Sequence, residues 1–195
     1  LVLIGGGVSN ERLSLTCAVA VAEAIGQIGG CRAGIKWPND IILDGKKVAG
    51  ILVESRRIVR GASASSAPGH GSRTTTIIGI GINCHQTPDR FPPELRGTAT
   101  SLDLVSGTRS QRVTVAKRVL TSLDHWLRTA ERNGQQVIDT WRRLSTQLGQ
   151  RVILSYNRRR FAGHCLGVDP EKGLILQLDR GGVRMFDAAH THIVP

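Results

Sequence analysis

Lys36, Asn39, Asp40 and Lys47 fall within one stretch of twelve residues, Lys36-Trp37-Pro38-Asn39-Asp40 leading into Lys47-Val48-Ala49-Gly50-Ile51-Leu52-Val53-Glu54. Two ammonium groups, a carboxylate and an amide brought together this way suit a polyanion. At about 4 Å a charge pair near a protein surface interacts by roughly 4 kcal/mol, so Lys36 and Lys47 could hold a triphosphate or a reacting carboxylate. Asp40 and Asn39 offer hard oxygen atoms of the kind Mg²⁺ takes. Forming an adenylate from a carboxylic acid and ATP needs such cations, a metal site and close approach of backbone to ligand. The bland alternative is a surface hairpin with solvated lysines.

A second signal lies further on. Gly50 interrupts one apolar run, and Gly79-Ile80-Gly81 interrupts the next. Glycine weakens a strand unless another group must come close, so both interruptions point to a ligand lying against a sheet, although each alone is more often a bulge. Asn83 follows at once and can present donor and acceptor to a base edge. A dinucleotide fingerprint is excluded because the third glycine and the following helix are missing, and a P-loop because no Gly-Lys-Ser/Thr follows a glycine loop.

The elements that must position these residues can be read in order. Residues 1–4 read as a strand and residues 5–10 as a flexible turn. Residues 13–28 are dense in Ala, Val and Leu with few charges, which suits a helix buried on most sides and ended by Gly29 and Gly30. Residues 32–36 read as a strand. Pro38 pushes Trp37 towards an extended conformation, and Asp44-Gly45 between two apolar runs predicts a tight hairpin. Residues 55–75 are rich in Arg, Ser, Ala and Gly and predict a loop, an insertion at a hairpin tip if residues 54 and 76 bound neighbouring strands. Residues 76–83 resume a strand, and residues 87–106 look irregular.

Val113, Ala116, Leu120, Leu123, Leu127 and Ala130 repeat at helical spacing over residues 111–132, and Val137, Trp141, Leu144 and Leu148 over a second helix stopped by Gly149. From residue 151 short strands over 152–156, 161–168, 174–178, 183–186 and 192–194 predict a small SH3-like barrel. The fold class expected is α+β, a mixed β-sheet packed with helices, with units at residues 1–148 and 149–195.

The chain of 195 residues can bury about 70% of the surface its unfolded form exposes and needs no staples. No apolar run approaches the length of a membrane span, so a soluble protein with no membrane partner is expected. The formal charge of +11 invites a nucleic-acid reading. Its scatter argues against that: Arg56, Arg57, Arg60 and Arg73 sit in the loop, Arg142 and Arg143 on a helix and residues 158–160 in a turn, with only 4% aromatic residues to stack on bases. Cys17, Cys31, Cys84 and Cys165 form neither a zinc pattern nor a disulfide framework, which fits a reducing cytoplasm. Cys84-His85 is read as an incidental neighbour pair, because adjacent residues of a strand face opposite ways.

Taken in order, Lys36-Trp37-Pro38-Asn39-Asp40, then residues 47–54, then Gly79-Ile80-Gly81-Ile82-Asn83, ahead of a helical stretch and a C-terminal barrel, resemble the biotin protein ligases (biotin–acetyl-CoA-carboxylase ligases). The resemblance implies a class II synthetase-like biotin/lipoate ligase fold. It implies that ATP and biotin, with Mg²⁺, give biotinyl-5′-AMP, and that biotin then passes to a lysine of the biotin carboxyl carrier protein. Lys47 would contact the carboxylate and phosphate, and Gly50, Leu52, Gly79, Ile80 and Gly81 would line the biotin site. Lys36, Asn39 and Asp40 would form the ATP and Mg²⁺ end, with Asp40 also helping to deprotonate the acceptor lysine. Asn83 would contact the nucleotide.

In that family an Arg- and Gly-rich loop and a Ser/Thr segment precede these motifs. The chain is therefore expected to be truncated at its N-terminus and to have little ligase activity alone. The loop over residues 55–75 is longer than the family usually carries and is assigned no function, although its arginines would suit an acidic carrier. Lipoate ligases are the near alternative, without this Lys-Trp-Pro-Asn-Asp and Ala-Gly-Ile-Leu combination. A biotin-responsive repressor is a second, with DNA as partner only where a helix-turn-helix lies upstream, and a basic interaction module without catalysis is a third. A homodimer through an exposed sheet edge is compatible with the resemblance.

Overall fold

The computed structural model describes residues 2–4, 9–30, 32–58 and 73–194. Helix α1 (Asn10–Gly29) is the hub of the first unit. Ser9 caps it by accepting the Arg12 N–H at 3.3 Å, and Gly30 closes it in the left-handed region at φ 63°. Its Ala, Val, Leu and Cys side chains are buried nearly all round, as expected, because it lies between a sheet and two further helices. On the helical side Ser122 donates to the Ala20 carbonyl at 2.8 Å, and the Trp126 indole N–H donates to Glu23 at 2.8 Å.

The sheet under α1 runs β1 (Val2–Ile4), β5 (Arg73–Ile82), β4 (Lys46–Ile58), β3 (Asp40–Leu43) and β2 (Gly34–Lys36), all neighbours antiparallel. Asp44 (φ 48°) and Gly45 (φ 73°) make the expected two-residue turn between β3 and β4. The Trp37-Pro38 peptide bond between β2 and β3 is cis. Ala49, Ile51 and Ile78 face α1 and are buried, whereas Leu52 and Ile77 stand on the other face, 57% and 43% exposed.

Several expected boundaries move. Strands β4 and β5 are neighbours, as expected, but they pair out to Ile58 and Arg73, so residues 55–58 and 73–75, expected in the loop, are strand. Cross-strand pairing overrides the poor strand composition there. Residues 59–72 of that loop, residues 5–8 of the expected turn and Cys31 lie outside the described residues. Inside the stretch read as irregular, α2 (Leu102–Ser106) is capped by Ser101, which accepts the Leu104 N–H at 3.3 Å.

Helix α3 (Arg112–Arg132) covers the expected span, but it buries Val115, Val119, Leu123 and Trp126; of the expected stripe only Leu123 is buried, and Val113 and Leu120 are 67% and 54% exposed. Helix α4 (Gly134–Leu144) ends before Leu148, contrary to expectation, because Ser145 and Leu148 turn to bridge Ile35 and Cys165.

The C-terminal sheet has the order β10 (Thr191–Val194), β6 (Arg151–Tyr156), β7 (Arg159–Asp169), β8 (Gly173–Leu178) and β9 (Val183–Phe186). Leu154, Cys165, Leu174, Leu176 and Phe186 form its buried side. All five expected strands are present, but as a sheet whose outermost strands are β10 and β9, without the closure expected of a barrel among the described residues. No helix of the described residues is long and apolar enough to cross a membrane.

Candidate active site

Cross-strand register collects the predicted residues into one row. Lys36 pairs with Asp40, Asp40 with Gly50, and Gly50 with Gly81. Directly opposed residues of antiparallel strands share a face, so the four lie side by side on the face turned away from α1. Leu52 and Gly79, paired with each other, continue the same face.

Lys47 would not belong to this row in a regular strand, because it is three residues from Gly50 and alternation sends it to the other side. A bulge corrects this. Ile41 pairs with Ala49 but Ile42 pairs with Lys47, so Val48 is the extra residue. Both Val48 and Ala49 are buried, and Lys47 is returned to the outer face. Its ammonium then lies 2.5 Å from the Asp40 carboxylate, with the two side chains 48% and 27% exposed. Gly50 is under the pair: a Cβ there would stand 3.4 Å from Lys47 Cε and 3.7 Å from Asp40 Oδ1. Above Gly81 a Cβ would meet nothing within 4 Å, so the row opens there into free space.

The bulge leaves backbone groups of β4 to be satisfied elsewhere. Lys47 N–H donates to Thr98 O and Thr100 N–H to Lys47 O, each at 2.8 Å, while Asn83 N–H donates to Val48 O at 2.9 Å. The segment 98–100 thus acts as a short extra strand along the bulge, a role the sequence reading missed. Val48-Ala49, two apolar residues in succession just before Gly50, is the break in alternation that could have signalled it.

Asn39 and Asn83 are more tightly held than expected. Asn39 donates its side-chain amide to Ile51 O at 2.7 Å and accepts the Ile51 N–H at its own carbonyl at 3.0 Å. Asn83 donates to Thr100 O at 3.0 Å. Each therefore commits one amide hydrogen to the scaffold. Ile80 pairs with Ile51 and packs on the core side, so its side chain lies on the face opposite to Gly79 and Gly81.

Lys36 also borders a groove of about 540 Å³ beside β2, together with Arg32, Asp44, Arg143 and Thr146. Cys84 and His85 do not form a nucleophile and base. Cys84 is buried, which pushes its thiol up, and His85 Nδ1 sits 2.7 Å from Asp103. The Ser110 backbone N–H, and then His85, hold the Asp103 carboxyl below its usual range.

The Lys47 cation and the Asp40 carboxylate thus stand together over a glycine floor. Residues 8–67 match the family model described as the biotin/lipoate A/B protein ligase family. The chain is 33% identical over 180 residues to the bifunctional ligase/repressor BirA of Bacillus subtilis (strain 168), covering 92% of this chain and 52% of that protein. It is 40% identical over 87 residues to the biotin–acetyl-CoA-carboxylase ligase of Paracoccus denitrificans, covering 44% of this chain and 32% of that one. The chain spans about half the length of the BirA relative. Among solved structures, the biotin protein ligase of Aquifex aeolicus in complex with biotin and ATP superposes with a TM-score of 0.73 at 23% identity, covering 94% of this chain and 71% of that one. That likeness shows the fold.

Proposed function

We propose that this chain is the adenylating part of a biotin protein ligase. The observation that carries the reading is the Lys47–Asp40 pair, set over Gly50 by the bulge. Biotin lies along Gly50, Leu52, Gly79 and Gly81, with its carboxylate at Lys47. A carboxylate oxygen attacks the α-phosphorus of ATP, the bond to the β-phosphate oxygen breaks, and pyrophosphate leaves. Lys47 stabilises the charge that develops between carboxylate and phosphate, and Lys36 the charge on the departing phosphates. In the second step a lysine amine of a carrier protein attacks the acyl carbon, AMP departs, and Asp40 takes the proton from the amine. Asn83 offers its amide to the nucleotide.

Among the described residues no cluster of three or more His, Cys, Asp or Glu side chains could hold a metal ion, and Asp40 already pairs with Lys47. This donor set fits Mg²⁺ that arrives with the nucleotide, with Asp40 as its protein ligand, because Mg²⁺ keeps its waters and takes phosphate oxygens. The ion would neutralise part of the triphosphate charge.

The reading extends to a cytoplasmic enzyme, a biotin carboxyl carrier domain as partner and a homodimer through a sheet edge. It also takes residues 1–148 as the catalytic unit and residues 149–195 as an SH3-like barrel. Biotin-dependent exchange of pyrophosphate into ATP, run on the full-length protein, tests it. Exchange with biotin and little with lipoate is expected; exchange with lipoate alone would overturn the choice of substrate.

A further inference from the structure

The turn that carries Lys36, Asn39 and Asp40 is held from a distance. Trp37 is 4% exposed, and its backbone N–H, just beyond the end of β2, donates to Gln147 Oε1 at 2.7 Å. A backbone N–H needs an acceptor, which fixes the orientation of the Gln147 amide. Gln147 is itself only 5% exposed, and its Nε2 has no partner among the described residues. A buried amide with half of its hydrogen-bonding capacity unused is a poor choice for packing alone. Its contribution is the acceptor it offers to Trp37.

Gln147 belongs to a segment that joins the two sheets. On one side Ser145 bridges Ile35, and Thr146 donates to the Ile35 carbonyl through its N–H at 3.0 Å and its hydroxyl at 3.2 Å. On the other side Leu148 bridges Cys165, Gly149 N–H donates to Cys165 O at 2.8 Å, and Cys165 N–H donates to Gln150 O at 2.9 Å. Residues 145–150 thus form a splint from β2 to β7, turned at its far end where Gln150 N–H donates to Gln147 O at 2.9 Å and Gly149 takes φ 75°. Ser145 stiffens it, since its hydroxyl accepts the N–H groups of Gln147 and Leu148, each at 3.2 Å.

We infer that Gln147 is a positioning residue for the adenylating row, and that through the splint the C-terminal sheet sets the turn bearing Lys36, Asn39 and Asp40. The inference rests on the function proposed above. Without the Gln147 oxygen, the Trp37 N–H is buried with no acceptor, and the turn must shift to find one. A displacement of about 1 Å at reacting groups costs on the order of 100-fold in rate. The biotin floor on β4 and β5 has no bond to Gln147 and meets the turn only through the Asn39–Ile51 bonds, the Asp40–Gly50 pairing and the Lys47–Asp40 pair, while Leu52, Gly79 and Gly81 are held by the β4–β5 ladder.

The test compares Gln147→Met, which keeps length and apolar volume but removes the acceptor, with Gln147→Glu, which keeps an acceptor oxygen at the same reach. In the full-length protein, Gln147→Met should lower kcat per titrated active site for pyrophosphate exchange by about tenfold or more. KM for biotin should stay within about twofold of wild type, and Gln147→Glu should recover most of the loss. By amide exchange, the Trp37 N–H should be protected in the wild type and exposed in Gln147→Met. An unchanged kcat per site with only a lowered melting temperature would overturn the inference, as would Gln147→Glu falling as far as Gln147→Met, or an unprotected Trp37 N–H in the wild type. If the wild type shows no exchange reaction, the proposed function fails, and the Trp37 protection pattern still decides whether Gln147 holds the turn.

Discussion

Gly50 shows how closely single residues are fitted at this site. A methyl group there would stand 3.4 Å from the far end of Lys47, whose flexible stem can give way, so Gly50→Ala should be tolerated. Gly50→Val adds branches where the lysine end and the Asp40 carboxylate already lie, and should separate the pair. Gly50→Val is expected to raise KM for biotin about tenfold or more in the exchange assay, with the folded state retained by circular dichroism. A wild-type KM would show that ligand does not approach Gly50. The residue types of this site were legible in the sequence, because Lys36, Asp40, Lys47 and the glycines each suggest a role by chemistry alone. Their geometry was not. Only the pairing of Ile42 with Lys47 reveals that Lys47 reaches Asp40, and a bulge is a property of two strands together. Gln147 carries no local signal, since its partner Trp37 is 110 residues away.

At the level of elements, α1 and α3 carry the support beneath the site. Leu123, 1% exposed, packs on α3 within the core shared with α1. Leu123→Ala should lower unfolding stability by about 2–5 kcal/mol, read from the denaturant midpoint, and a loss much smaller than this would mean that the helices close over the gap. Burial pushes the Cys17 thiol of α1 up to about 12, against 9.0 for the free group. The folded state therefore keeps its proton where the unfolded chain has lost it. This contribution is whole below pH 9.0 and is lost as pH rises towards about 12. Alkylation mapped by mass spectrometry at neutral pH should leave Cys17, Cys84 and Cys165, all buried, unlabelled until the protein unfolds; labelling of Cys17 in the native state would contradict this packing. The spans of α1 and α3 and the Asp44-Gly45 turn were readable because short-range geometry dictates them, whereas the face α3 buries, Val115, Val119, Leu123 and Trp126, was not, because it is set by packing on α1. The end of α4 was not: Leu148 stands at helical spacing from Leu144, yet its bridge to Cys165 draws it into extended pairing.

For the whole molecule, the formal charge of +11 bears on the proposed second step. Association of an acidic carrier domain should be steered by this charge and weakened by salt, because the screening length falls from about 30 Å at 0.01 M to about 10 Å at 0.1 M ionic strength. Carrier biotinylation at low carrier concentration should slow over that range while biotin-dependent exchange hardly changes. Equal salt responses would remove charge from carrier recognition. Order along the chain carries the resemblance to biotin protein ligases, but the joint between the two sheets emerges only from the splint over residues 145–150. The claim on which all of this depends is that Lys47, brought beside Asp40 by the bulge, stabilises adenylate formation. Single-turnover formation of biotinyl-AMP by the full-length protein, wild type against Lys47→Met at saturating biotin and ATP, tests it most directly. The account predicts a rate lower by roughly 100-fold or more with the fold intact; a Lys47→Met protein that forms biotinyl-AMP at the wild-type rate would contradict it.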